Sequence, residues 1–356
     1  MVGSAIAPAL PGIVAATDFN FSPSLLITLP ALGVLIFAPV VGRLINRLGA
    51  FKLLALGLIP YAVLGVLGAY LENQYLLVVD RFLLGAATVA IQVSVTALIA
   101  QFFSGAYLMK IIAWQGMAIE LGGVIFLSIG GMLGEWHWQA PFFIYVLALI
   151  CLALMYYTLP KKSISEEKVS ESTSNTSSSG KVWTIAVASL FAMVLFFVAF
   201  VTLPLYLDEI FDFSESTTGY FMAFISFIAI LTASQMPKIA TKLKAGNTVV
   251  LGFVFFTLGY LVFASAAQIY WLVVAAILVG IGFGLTVPLL NHMMLEASTT
   301  KTRGKNLGLY SMGIFGGQFL STFVTFLSAD YNTLFYITAI LGSFIVLILF
   351  FAFRKV

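Results

Sequence analysis

The chain has 356 residues, of which 61% are hydrophobic and 9% charged, with a mean hydropathy of +1.08. A soluble domain is about half apolar and about a quarter charged, so a water-soluble globule, a disordered chain and a nucleic-acid binder are excluded: too few charges remain to cover a surface or grip a phosphate backbone. The net charge of +3 says nothing about partners until the charges are placed along the chain.

A helix needs about 20 mostly apolar residues to cross a bilayer, because its backbone must satisfy its own hydrogen bonds in hydrocarbon. Val2 to Val14 is apolar but too short, and it carries Pro8 and Pro11. No basic residue precedes it, which argues against a secretory signal peptide. Full-length spans follow near 24–45, 53–71, 75–98, 111–133, 140–159, 182–207, 216–237, 248–267, 271–294, 306–328 and 332–353. The fold class is therefore all-α and polytopic, with eleven complete spans expected. The single cysteine, Cys151, has no partner for an internal disulfide.

Orientation follows from Lys and Arg, which are retained on the cytoplasmic side. Alternate loops hold 16 of the 17 basic residues: Arg43, Arg47 and Lys52; Lys110; Lys161, Lys162, Lys168 and Lys181; Lys238, Lys242 and Lys244; Lys301, Arg303 and Lys305; and Arg354 with Lys355. The opposite loops carry Asp18, Glu72, Glu135, Asp208, Glu209, Asp212, Glu215 and Asp330, and no Lys or Arg. The first set and the C-terminus are thus expected in the cytoplasm. Thr17–Ser22 then lies outside, and the residues before it read as the outer half of a span whose inner half is missing. The expectation is a start site displaced by roughly 15 to 30 residues, or a truncated gene.

Residues 160–181 break the apolar pattern with a Ser/Thr/Glu/Lys stretch that cannot bury a core and reads as a cytoplasmic linker. On that cytoplasmic side the sequon at Asn175 is accidental. The linker divides the chain into an N-terminal half, 1–159, and a C-terminal half, 182–356. The halves repeat at an offset of 195 residues. Lys110 answers Lys305, Gly122 answers Gly317, Gly85 answers Gly280, and the Arg43–Leu48 loop answers Lys238–Leu243. Two six-span repeats in one orientation are the pattern of a secondary transporter.

Several motifs resemble those of the major facilitator superfamily. Its loop motif G-x-x-x-D-[RK]-x-G-[RK]-[RK] is similar to Gly42-Arg43-Leu44-Ile45-Asn46-Arg47-Leu48-Gly49, with Asn46 in place of the acid. Ala9-Leu10-Pro11 resembles a first-span motif of drug:proton antiporters, and Arg81-Phe82-Leu83-Leu84-Gly85 resembles the fourth-span R-x-x-x-G. Gly122 with Gly130-Gly131 fits part of the fifth-span antiporter motif, whose central Gly-Pro is Phe126-Leu127 here. The resemblance implies twelve helices in two halves, the first helix incomplete in this chain, and alternating access to a midplane cavity.

Topology leaves one basic residue, Arg81, inside the membrane zone, and an intramembrane charge is a functional candidate by default. Adjacent helical residues point about 100° apart, so Glu120 in the next span is expected to be a better partner for Arg81 than Asp80. Arg81 lies about 10 Å below the outer end of its span and Glu120 about 17 to 20 Å. At the 195-residue offset, Asp80, Arg81 and Glu120 fall on Ala275, Ala276 and Phe315, so these charges belong to the first half only. Glu120, with Asp80, is the candidate proton carrier; the alternatives are a solvated Glu120 or an Arg81 that snorkels outward. Gln92, Gln115, Gln235, Asn291 and Gln318 could line a substrate cavity or join helices. His292 reads as interfacial or packing, and His137, between Trp136 and Trp138, as part of an interfacial belt. The loop residues Gly42, Arg43, Asn46, Arg47 and Gly49 are either a cytoplasmic gate or plain positive-inside anchors.

No nucleotide loop, G-x-S-x-G elbow or metal-ligand spacing occurs, so neither an enzyme nor a cofactor or metal is expected. The sequence therefore reads as a monomeric, multi-pass cell-membrane transporter. Its partners are a small molecule, protons and the lipid bilayer, and no nucleic acid. Proton-coupled efflux of amphipathic compounds leads; nutrient uptake and a transport-inactive paralogue stay open.

Overall fold

The computed structural model of the chain describes residues 2–17, 19–103, 105–159, 179–299 and 302–354. The linker residues 160–178 and the expected loop charges Asp18, Lys301 and Lys355 lie outside the described residues. Every regular element described is helical: α1 (Leu10–Thr17), α2 (Ser24–Leu48), α3 (Ala50–Leu67), α4 (Gln74–Phe102), α5 (Gly105–Trp136), α6 (Leu147–Thr158), α7 (Ser179–Phe211), α8 (Glu215–Leu243), α9 (Ala245–Ala264), α10 (Ile269–Glu296), α11 (Arg303–Thr325) and α12 (Tyr331–Arg354). A 3₁₀ segment, Ala140–Val146, with Pro141 in its first turn, runs directly into α6. Counting that pair as one, eleven described helices are long and apolar enough to cross a membrane.

The helices form because almost no residue offers the backbone a better alternative. Hydroxyl side chains bond back to the carbonyl four residues earlier, as Thr28 does to Ser24, Ser189 to Ile185, Thr286 to Gly282 and Thr338 to Leu334. Side-chain caps close the ends in places: Asn73 accepts from the N–H groups of Tyr75 and Leu76, and Asp330 accepts from Thr333 at the start of α12. Pro30 and Pro39 in α2, Pro60 in α3 and Pro288 in α10 interrupt the ladders without ending the helices, a pattern common in membrane spans. The surface inverts the soluble rule: Ile36, Val40, Leu56, Val63, Leu154, Ile340 and Phe344 are all more than half exposed. That is the surface of a protein whose outer solvent is hydrocarbon.

The chain divides into two compact units. Unit 1 holds α1–α6 together with Ser214–Gly219, which is Ser214 and the first turn of α8; unit 2 holds α7, the rest of α8, and α9–α12. Within unit 1, α4 packs between α2 and α3, and α3 packs on the 3₁₀ segment and α6. Within unit 2, α10 packs on α9 and α7, α11 on α7, and α12 on α9.

The 195-residue offset is also structural. A Cβ at Gly85 of α4 would collide with the carbonyl of Pro30 of α2, and a Cβ at Gly280 of α10 would meet the carbonyl of Ile225 of α8 at 2.7 Å. Both glycine and carbonyl shift by the same 195 positions, so one helix crossing is built twice. The joints repeat as well. Gly49 between α2 and α3 has φ 76° and ψ 158°, and Lys244 between α8 and α9 has φ 69° and ψ 148°. Each accepts the first bond of the next helix, from Leu53 and Thr248 respectively.

Glycine adopts that conformation freely, whereas a lysine is held there against its Cβ at a cost of about 1 to 3 kcal/mol. Lys244→Gly is therefore expected to raise the thermal midpoint of the purified protein, and Gly49→Ala to lower it. Shifts of the same sign in both variants would show that the two joints are not equivalent.

Candidate functional site

The candidate charges collect in unit 1. Asn73 opens α4, and Asp80 and Arg81 follow two turns in, 3% and 0% exposed. The guanidinium folds back along its own helix. Its Nε and Nη2 donate to Asp80 Oδ2 at 2.9 and 2.6 Å, and Nη2 also donates to the carbonyl of Leu64 in α3 at 3.1 Å. The guanidinium carbon stands 5.3 Å from the Phe142 ring centroid and 5.7 Å from that of Tyr145, within cation–π range. Tyr145 is itself fixed by donating to the Val2 carbonyl and by an edge contact with Tyr61.

This corrects the expected partner of Arg81, which is Asp80 and not Glu120. The 100° argument holds for two Cβ atoms but not for a long side chain that curls around the helix to reach its neighbour. Depth removes Glu120 as well. α5 continues to Trp136, so Glu120 lies about 24 Å from that end, against about 10 Å for Arg81 from the start of α4. Glu120 is half-buried and makes no hydrogen bond or ion pair with a described residue.

The second half explains how the pair is housed. A Cβ on Gly68 would strike Arg81 Nη2 and approach the Phe142 ring to 2.6 Å, so the guanidinium needs glycine at that position. At the 195-residue offset Gly68 becomes Phe263, and Asp80 and Arg81 become Ala275 and Ala276, all three fully buried. A large ring with two small residues replaces a glycine with a large ion pair. The pair is incompletely satisfied: Asp80 Oδ1 and Arg81 Nη1 are buried without a hydrogen-bond partner among the described residues.

Glu120 lies on the inward stripe of α5, which continues through Gly123, Leu127, Gly130, Gly131 and Gly134, all buried. At Gly130 and Gly131 the stripe lacks side chains, and other backbone approaches there. A Cβ on Gly130 would strike the Ala5 carbonyl, and one on Gly131 would strike the carbonyl of Glu215 and come within 3.0 Å of Gly219 Cα. Two acids fasten this crossing. Glu215 Oε1 accepts from the Gly12 N–H at 3.2 Å, in the first turn of α1, and Glu135 Oε2 accepts from Ser214 Oγ at 3.1 Å and the Ser216 N–H at 3.2 Å. In sequence these two acids are marked only as outer-loop charges. The glycine spacing marks the stripe in sequence, but nothing in sequence marks what meets it.

The remaining candidates are dispersed. Gln92 is exposed on α4, while Gln115 of α5 donates to Thr96 of α4 at 3.3 Å. Asn291 is half-buried near the end of α10, next to His292, which pairs with Glu296 at 3.6 Å on an exposed face. Gly42, Arg43, Asn46 and Arg47 share an exposed face on the last turns of α2, and Gly49 is the joint described above. Among the described residues no group of three or more His, Cys, Asp or Glu side chains could hold a metal ion.

Comparison with known proteins agrees with this architecture. A family model described as Major Facilitator Superfamily matches residues 1–322. The chain is 27% identical over 320 residues to the class B tetracycline resistance protein of Escherichia coli, covering 85% of this chain and 79% of that protein. It is 32% identical over 140 residues to a triacylglyceride transporter of Mycolicibacterium smegmatis, covering 38% of this chain and 25% of the relative. It is 30% identical over 138 residues to multidrug resistance protein 1 of Bacillus subtilis, covering 38% and 36% respectively.

Removing one member of a buried pair leaves the other charge uncompensated, at about 3 to 5 kcal/mol, whereas an apolar replacement of both is often neutral or stabilising. Arg81→Ala alone should therefore melt well below the parent protein. The triple change Gly68→Phe, Asp80→Ala and Arg81→Ala, which copies unit 2, should recover most of that loss. A triple variant that folds and still transports normally would make the pair purely structural.

Proposed function

This chain belongs to the major facilitator superfamily, and from that premise we propose that it exports small amphipathic compounds from the cell in exchange for protons. It is a multi-pass membrane transporter; the direction, the coupling ion and the residue roles are the proposal. One observation carries it: Glu120, a carboxylate with no hydrogen bond or ion pair to a described residue, stands on the inward stripe of a membrane-length helix, in a chain whose relative over 85% of its length is a tetracycline resistance protein. An ionisable residue within a membrane span is by default a candidate for carrying a proton. Loading and release of that proton from opposite sides, coupled to alternating access, would drive export.

Asp80 and Arg81 have a different part in this reading. They hold α4 against α3 and the 3₁₀ segment, and their two unsatisfied atoms can accept or donate a bond when those helices shift. Gln92 and Asn291 are the polar contacts for substrate. Arg43 and Arg47, with Gly42, Asn46 and Gly49, hold the α2–α3 joint at the cytoplasmic face by the positive-inside rule and form its gating loop. The C-terminus then lies in the cytoplasm, and a single chain in the bilayer is the working unit.

Membrane vesicles loaded at acid pH test the scheme. Inside-out vesicles with an acidic lumen should accumulate tetracycline, a protonophore should abolish the accumulation, and Glu120→Gln at normal expression should lose it. Accumulation confined to right-side-out vesicles would overturn export. Full pH-driven transport by Glu120→Gln would remove that residue from the coupling.

A further inference from the structure

α7 contains a weak segment that neither the family resemblance nor the charge pattern marks. In a regular α-helix the N–H of Ala199 bonds to the carbonyl of Leu195. Here the hydroxyl of Tyr260, a fully buried residue of α9, bridges both ends of that rung. It accepts from the Ala199 N–H at 2.8 Å and donates to the Leu195 carbonyl. A side-chain group entering the ladder competes for both atoms and weakens the direct bond, a recognised cause of helix bending. Five residues further on, Pro204 has no N–H to offer the carbonyl of Phe200. Between them the hydroxyl of Thr202 is buried without a hydrogen-bond partner among the described residues, although Ser189, earlier in the same helix, makes the usual bond back to Ile185.

Three departures from helical bonding thus fall within residues 195–204. The same segment presents one face, Phe196, Ala199, Phe200 and Leu203, to a small apolar cleft completed by Met222 and Ile225 of α8 and Val279 of α10. Beyond the segment, α7 is firmly held. The Tyr206 ring meets Phe335 of α12 at 5.0 Å, and Phe335 also contacts Tyr260 and Phe263 of α9. A helix fixed by packing on the far side of a weakened stretch bends at that stretch.

We infer that residues 195–204 are a hinge in α7 and that Tyr260 is its pin, a positioning residue whose hydroxyl sets the bend and thereby opens or closes the apolar cleft. Its importance for turnover rests on the transporter reading above. The hinge itself can be measured without any substrate. Spin labels at Val187→Cys and Ile210→Cys, both exposed positions on α7 on either side of the segment, in a Cys151→Ser background, report the end-to-end distance in lipid nanodiscs by double electron–electron resonance. Tyr260→Phe removes only the competing hydroxyl, so the direct rung no longer shares its two atoms, and the distance distribution should narrow and shift to longer values. Pro204→Ala should shift it the same way by restoring the other rung. Unchanged distributions in both variants would overturn the hinge.

In vesicles, both variants should lower tetracycline turnover severalfold with the half-saturating concentration unchanged, the split expected when a conformational step and not binding is altered. A shifted distance with unaltered turnover would overturn the role of Tyr260 in transport. If the parent protein does not carry tetracycline, tetracycline drops out of the export reading, while the distance measurement still decides the hinge.

Discussion

Every feature of this molecule depends on the requirement that backbone N–H and C=O groups find partners without water. That requirement makes every described element helical and turns the hydroxyls of Thr28, Ser189, Thr286 and Thr338 back onto their own helices. It also leaves a few places where the requirement is met in an unusual way. The guanidinium of Arg81 borrows the carbonyl of Leu64, Glu215 takes up an N–H in the first turn of α1, and Tyr260 bridges a rung of α7. In a soluble protein water would absorb such irregularities. In hydrocarbon each one needs a specific side chain, and that side chain can be named.

The internal repeat shows what is scaffold and what is specialised. Helix crossings that need close approach, such as Gly85 on Pro30 and Gly280 on Ile225, are preserved in both units. The sharp joint after α2 and α8 is preserved even where glycine has become Lys244. The charged cluster is not preserved: Gly68 with Asp80 and Arg81 stands where the other unit has Phe263 with two alanines. The exchange keeps the space filled and changes the chemistry, which is how one repeat can acquire ionisable groups without losing its packing. Unit 2 has its own departure, the Tyr260 bridge. Gly65 stands at the corresponding position of unit 1, packed against the Tyr145 ring.

Much of this was legible in the chain. Span positions followed from the length of apolar runs, and the helices differ from them by a few residues, mainly where α4, α5, α7 and α8 extend beyond the minimum needed to cross. The outlying status of Arg81 followed from charge placement, and the repeat from a constant offset of Lys and Gly residues. The partner of Arg81 did not follow. Spacing along a helix fixes where Cβ atoms point, whereas the reach of a guanidinium is set by five bonds beyond Cβ and by the hole that Gly68 leaves. The 3₁₀ start of the span at 140–159 was equally hidden, because periodicity over so apolar a stretch does not separate i→i−3 from i→i−4 bonding.

The sequence by itself determined the solvent, the helical class, the approximate spans and the residues that need explanation, because these depend on composition and on local backbone chemistry. Tertiary structure alone decided which carboxylate Arg81 binds, that Glu215 reaches the first turn of α1, and that Tyr260 enters the ladder of α7. Those contacts join residues 17 to more than 200 positions apart, or a side chain curling onto its own neighbour. They are set by three-dimensional packing, which carries no local signature. The 9% of charged residues announced that a few polar groups would matter; only the packing showed which atoms they hold.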